Sequence, residues 1–171
     1  MISASFLPPV TAVAERFDAT LLPAESGTYI LLLESGQYSD VAIGRFATLA
    51  LQPGWYLYVG SAFGPGGLRA RVGRHLRRHK SSRWHIDYLR SRTQLRQIWY
   101  CNEKQRRESL WAGELAKMPG LTIPLAGFGA SDRRGESHLF YTAACPKAAA
   151  FRQRLLKADP CHSPVQTLSL A

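Results

Sequence analysis

Arg71 and His75 lie four residues apart, the spacing that puts two side chains on one side of a helix. A guanidinium stays protonated and donates through a planar fork, which suits it to a phosphate and to charge building in a transition state. A histidine one turn later could hold the same phosphate or move a proton. A solvated basic face is the ordinary alternative, and for Arg74, Arg77 and Arg78 it is preferred to catalysis. Glu108, three residues before Trp111, faces inward on its helix, whereas Glu103 and Glu114 turn away. A carboxylate in that position is costly unless paired or ligating. One carboxylate with several waters suits Mg²⁺ or Mn²⁺, and the scarcity of acids across Arg69–Arg106 argues against a carboxylate-rich two-metal site.

Tyr29 and Tyr58 sit in strand-like runs. Alternation places Tyr56 and Tyr58 on one face and Trp55, Leu57 and Val59 on the other. Tyrosines in strands usually pack, so spacing alone gives neither a catalytic role. His85, Asp87, Asp132 and His138 have unspecific spacing; structural hydrogen bonding is the reading preferred for them. The glycine-rich Ser61–Gly67 lacks the Gly-Lys-Ser/Thr ending of a nucleotide-binding loop, which argues against a nucleotide cofactor.

These side chains need elements to hold them. Gly27–Leu33 is a compact apolar run that reads as a buried strand, and Val41–Leu51 supplies one or two more. Pro53-Gly54 marks a turn before the strand Trp55–Gly60. From Leu68 the period becomes helical, with Leu68, Val72 and Leu76 as the apolar stripe. Strand, glycine loop and basic helix together predict a phosphate-facing corner, since helix N-termini favour anions. A short helix over Trp84–Arg92, a strand over Gln94–Cys101, a helix over Lys104–Met118, a strand over His138–Ala143 and a basic helix over Lys147–Lys157 follow. The expected architecture is α/β, a small central mixed sheet flanked by helices. Residues 27–159 form the domain, 1–26 a loosely attached extension and 160–171 a flexible tail.

The charge is the most telling bulk property. The 171 residues carry 22 Lys and Arg against 12 Asp and Glu, a net +10. Ten of the basic residues fall between Arg69 and Arg96, against Asp87 alone. A local surplus of this kind predicts a polyanionic partner. No apolar run approaches the roughly 18 residues that would span a bilayer, and Met1–Val10 does not read as a secretory signal. No membrane association and a cytoplasmic location are expected. Cys101, Cys145 and Cys161 lack any C-x-x-C pairing and read as reduced, mostly structural thiols.

Gly27-Thr28-Tyr29 and Tyr58-Val59-Gly60, followed by Arg71, His75 and Glu108 in order, resemble the signature series of GIY-YIG nucleases. Trp84–Leu89, Gly127–Asp132 and Ser137–Tyr141 resemble an uncharacterised branch of that family, domain of unknown function 123, sometimes fused to endonuclease III. That branch commonly carries cysteines where this chain has Ser109, Arg133 and Gly135, so no thiol role is carried over. The resemblance implies a metal-dependent endonuclease with DNA favoured over RNA. Tyr29 would be general base or water-positioner with Tyr58 supporting it, Arg71 the phosphate clamp and Glu108 the metal ligand, with His75 and Tyr58 completing the shell. Gly60, Ser61, Arg69, Arg74, Arg77 and Arg78 would contact nucleic acid. The rival expectation is a module of the same fold that binds nucleic acid without cutting it.

Overall fold

The computed structural model describes residues 18–77, 82–130 and 136–170. Its centre is β1 (Gly27–Ser35), nearly all of it buried, which is why this strand reads as a continuous apolar run rather than an alternating one. Ile30 and Leu32 pack into one apolar cluster, Tyr29, Leu31 and Leu33 into another on the opposite face. β1 is flanked by β4 (Gly54–Ala62) and β5 (Gln94–Asn102), and these by β6 (Leu139–Thr142) and β7 (Gln166–Ser169), in the order β6-β4-β1-β5-β7. A separate hairpin pairs β2 (Ser39–Ile43) with β3 (Ala47–Leu51).

The sheet is antiparallel at every hydrogen-bonded pair, not mixed as the sequence predicts. β4 and β5 do run in the same direction, joined through α1 (Gly67–Leu76) and α2 (His85–Arg90) as a parallel crossover would be. β1 lies between them, however, and pairs antiparallel with both. Helices α1 and α2 and the hairpin cover the face bearing Tyr29 and Tyr56, while α3 (Glu108–Ala116) and α4 (Ala148–Ala158) cover the face bearing Ile30 and Trp99.

Three boundaries differ from expectation. Residues 166–169 are not a flexible tail: they form β7 along the outer edge of β5, where Tyr100 donates to Gln166. The described part of the extension is likewise fastened, by a 3-10 turn at Ala19–Leu21 and a fully buried Leu22; residues 1–17 lie outside the described range. The third helix starts at Glu108, not Lys104. Its start is pinned where the Arg107 amide donates to Thr28 Oγ1 and the Arg107 guanidinium pairs with Glu103 and Asp159, each at 2.6 Å.

Candidate active site

A cleft of about 160 Å³ gathers Tyr29, Tyr58, Arg71, His75 and Glu108, with Gly60, Ser61 and Trp84 completing its wall. Two layers meet there. Tyr29 and Tyr58 project from neighbouring strands on the α1 side of the sheet, and Arg71 and His75 descend from α1 itself. Glu108 comes from α3 on the other side. β6 stops opposite Tyr58, after which only the Val59 amide finds a partner, the carbonyl of His138. Beyond that point β4 has no strand neighbour on this edge among the described residues, and there Ser61 donates to Glu108 Oε2 at 2.7 Å.

Tyr29 is buried, and its hydroxyl lies 2.8 Å from Nε2 of the equally buried His75. A Cβ on Gly60 would overlap that phenol, so the glycine is what admits the ring. Burial pushes the Tyr29 hydroxyl well above the ordinary tyrosine range, reinforced by the neighbouring Tyr58. Tyr58, raised by burial and then by the Glu108 charge, also remains a neutral donor. On the far side of the imidazole, Nδ1 stands 4.0 Å from Asp87 Oδ1. Asp87 in turn accepts from both Arg74 amino nitrogens at 3.2–3.3 Å and from the amides of Arg83 and Trp84. The indole of Trp84 carries the guanidinium of Arg71 at 4.5 Å and that of Arg74 at 3.8 Å, contacts in which a cation meets the negative ring face.

Glu108 sits in the first turn of α3, where the helix dipole favours an anion. Burial opposes its ionisation, but the contacts from His138 and Ser61 outweigh it and hold the carboxyl below its ordinary range. His138 Nδ1 lies 3.1 Å from Oε1. A single anionic carboxylate, braced on both oxygens and open to a small cleft, fits Mg²⁺ or Mn²⁺, ions that keep several waters. Glu114 is more buried than Glu108 but is turned toward α4, away from the cleft, paired with Lys117 and Arg154. Cys101, Glu103 and His162 also cluster within metal-binding range. There the His162 Nε2 accepts from Trp111 and Nδ1 meets the Ser163 carbonyl, so neither nitrogen is left for an ion. Burial raises the Cys101 thiol to about 12, keeping it protonated; Cys145 and Cys161 are exposed rather than structural.

The expected phosphate corner at the start of α1 is closed. The amides of Gly67, Leu68 and Arg69 already donate to the carbonyls of Gly64, Glu25 and Pro23. Gly67 has a positive φ of 51°, and a Cβ there would overlap the Glu25 carbonyl. Arg69 clamps the Leu22 carbonyl at 2.9 Å, Arg74 braces Asp87, and Arg90 is buried against the His75 carbonyl. The basic run is thus partly scaffold. Ser61 aims its hydroxyl at Glu108 rather than outward, and Arg77 is exposed. Arg78 and Asp132 lie outside the described residues. His85 accepts from the Gly129 amide and stacks on Phe46.

Sequence reasoning passed over Asp87, Trp84 and His138 as site residues. The motifs containing them were visible, but their meeting with Arg71, His75 and Glu108 depends on the approach of α1 to α2 and the β4–β6 register. Because Arg74 is mostly buried against a fully buried carboxylate, Arg74→Ala is expected to lower stability by about 2–3 kcal/mol in a denaturant titration. Arg77→Ala is expected to stay within about 0.5 kcal/mol of the parent. Equal stability losses would remove the distinction.

Residues 28–158 match the family model described as Domain of unknown function DUF123. No curated protein and no solved structure matches the chain. No helix among the described residues is long and apolar enough to cross a membrane.

Proposed function

We infer from two premises, that the chain belongs to the DUF123 family and that its ordered tyrosine, arginine, histidine and glutamate meet in one cleft, that the protein is a divalent-metal-dependent endonuclease of GIY-YIG type. The observation that carries this reading is the convergence itself. Five side chains scattered from position 29 to position 108 line one small space, and two of them, Tyr29 and His75, are buried in hydrogen-bond contact. Packing alone would not require a carboxylate, a guanidinium and a tyrosine–histidine pair to share it.

In this mechanism a water attacks phosphorus while its proton passes toward Tyr29. The phenol cannot serve as a standing base, because its ionisation is suppressed by burial. It hands its own proton to His75 Nε2 as it takes the water's. His75 then becomes positively charged 4.0 Å from Asp87, whose carboxylate favours that form. Arg71, steadied over Trp84, neutralises the non-bridging oxygens as charge accumulates. The phosphorus bond to the leaving sugar oxygen breaks, and that oxygen takes a proton from solvent. Tyr58 donates a hydrogen bond into the cleft. Glu108 would hold the Mg²⁺ or Mn²⁺, which supplies Lewis-acid stabilisation of the phosphoryl charge when bound. DNA is the favoured substrate.

The test is incubation of purified protein with nicked, branched, single-stranded and duplex DNAs and RNAs in Mg²⁺, Mn²⁺ or chelator. Metal-dependent cutting supports the nuclease; binding without cutting in every metal would make this a recognition module. Arg71→Lys, which keeps the charge but loses the fork, is expected to lower turnover about 10²-fold. The exposed Arg77→Lys should leave it nearly unchanged. Matching behaviour of the two variants would return Arg71 to the general basic surface.

A further inference from the structure

We propose that His138 is a second protein ligand for the divalent ion, its Nδ1 standing beside Oε1 of Glu108, so that the centre is one carboxylate and one imidazole. This deepens the nuclease reading and rests on it for the purpose of the site. Four observations support it. His138 Nδ1 is 3.1 Å from Glu108 Oε1, and two ligands at neighbouring corners of an octahedron with bonds of ~2.1 Å stand about 3 Å apart. The His138 side chain is 9% exposed, yet neither ring nitrogen has an aligned hydrogen-bond partner in the structure. Buried polar atoms without partners are uncommon and often mark an ion or water. Ser61 occupies Oε2, which leaves Oε1 as the oxygen turned to the imidazole.

The fourth observation is how firmly the ring is placed. The His138 amide donates to the Phe128 carbonyl at 2.8 Å and its carbonyl accepts from Val59 at 2.9 Å, so its backbone is tied to a loop and to β4. Gly129, with a positive φ of 77°, leaves the space beside it: a Cβ there would lie 3.2 Å from the His138 Cβ. A rigidly held imidazole beside an anionic carboxylate is a better site for a first-row transition ion than for Mg²⁺, which prefers oxygen ligands. Mn²⁺ is the useful probe because it is paramagnetic.

The decisive measurement is electron spin echo envelope modulation on Mn²⁺ added to the full chain. The parent protein is expected to give nitrogen modulation, and labelling its histidines with ¹⁵N should convert the pattern. His138→Gln should abolish the modulation and weaken Mn²⁺ binding by about 10- to 100-fold, with the fold checked by circular dichroism. Should that variant misfold, His75→Gln serves instead, since modulation that persists there cannot come from the histidine that lines the cleft. Glu108-dependent Mn²⁺ binding without histidine nitrogen modulation would make His138 only a positioning residue and overturn the proposal. Absence of Mn²⁺ binding would overturn it too, and so would loss of the modulation in His75→Gln. Cleavage of DNA in Mg²⁺ reports separately on the nuclease reading, which survives the loss of the imidazole ligand.

Discussion

Glu108→Gln is expected to lower phosphodiester cleavage by about 10³-fold or more while leaving the protein folded and still bound to nucleic acid. The amide keeps the size of the side chain and can still accept from Ser61, so the contact across the β4 edge survives. What disappears is the one negative charge that the cleft's described lining offers to a cation. Metal stabilisation of a phosphoryl transition state is worth several kcal/mol, and each 1.36 kcal/mol is tenfold in rate. In the proposed reading most phosphate contacts come from arginines rather than from the metal, so the dependence of affinity on salt, ~0.9 per neutralised phosphate on duplex DNA, should be nearly unchanged. Cleavage assays and binding titrations at several salt concentrations read the two halves independently. Full activity with unaltered metal dependence would take Glu108 out of the site.

The sequence made some of this legible and left the rest hidden, for physical reasons. Tyr29, Tyr58, Arg71, His75 and Glu108 were nameable because a family pattern orders them, and the cleft contains them all. Their strands and helices were readable from local periodicity. The antiparallel sheet was not, because whether β1 inserts between β4 and β5 is decided by tertiary packing, which a crossover pattern does not encode. The C-terminal strand escaped notice because Gln166–Ser169 is short and polar, held by an edge rather than by a core of its own. The count of arginines overstated the binding surface, since Arg69, Arg74 and Arg90 turn inward to carbonyls and a carboxylate. Asp87 and His138 showed no signal in spacing; their relevance arises only where separate elements touch.

Tyr29→Phe is expected to reduce turnover by about 10²- to 10⁴-fold, the span seen for a positioned proton-transfer group. Removing the hydroxyl would interrupt the path from water to His75 in the proposed mechanism, and no other tyrosine replaces it: the Tyr58 ring stands edge-on to the imidazole, with centroids 6.2 Å apart. Because phenylalanine still fills the space over Gly60, the fold and nucleic-acid binding should persist. Tyr58→Phe should cost less, having removed a donor rather than the relay. Single-turnover cleavage at saturating protein isolates the chemical step, and an equal loss in both variants would deny Tyr29 its special position.

The place of Tyr29 over Gly60 has a consequence for ancestry. The phenol occupies the volume that any other residue at position 60 would claim, so a side chain cannot be added at 60 while the Tyr29 ring keeps its place. A lineage that drifts to a bulkier residue on β4 would displace the Tyr29 ring on β1 and, under the proposed mechanism, the proton path with it. Under the proposed nuclease reading, the residue at position 60 is expected to separate related chains that cut from those that only bind, before any of them is purified.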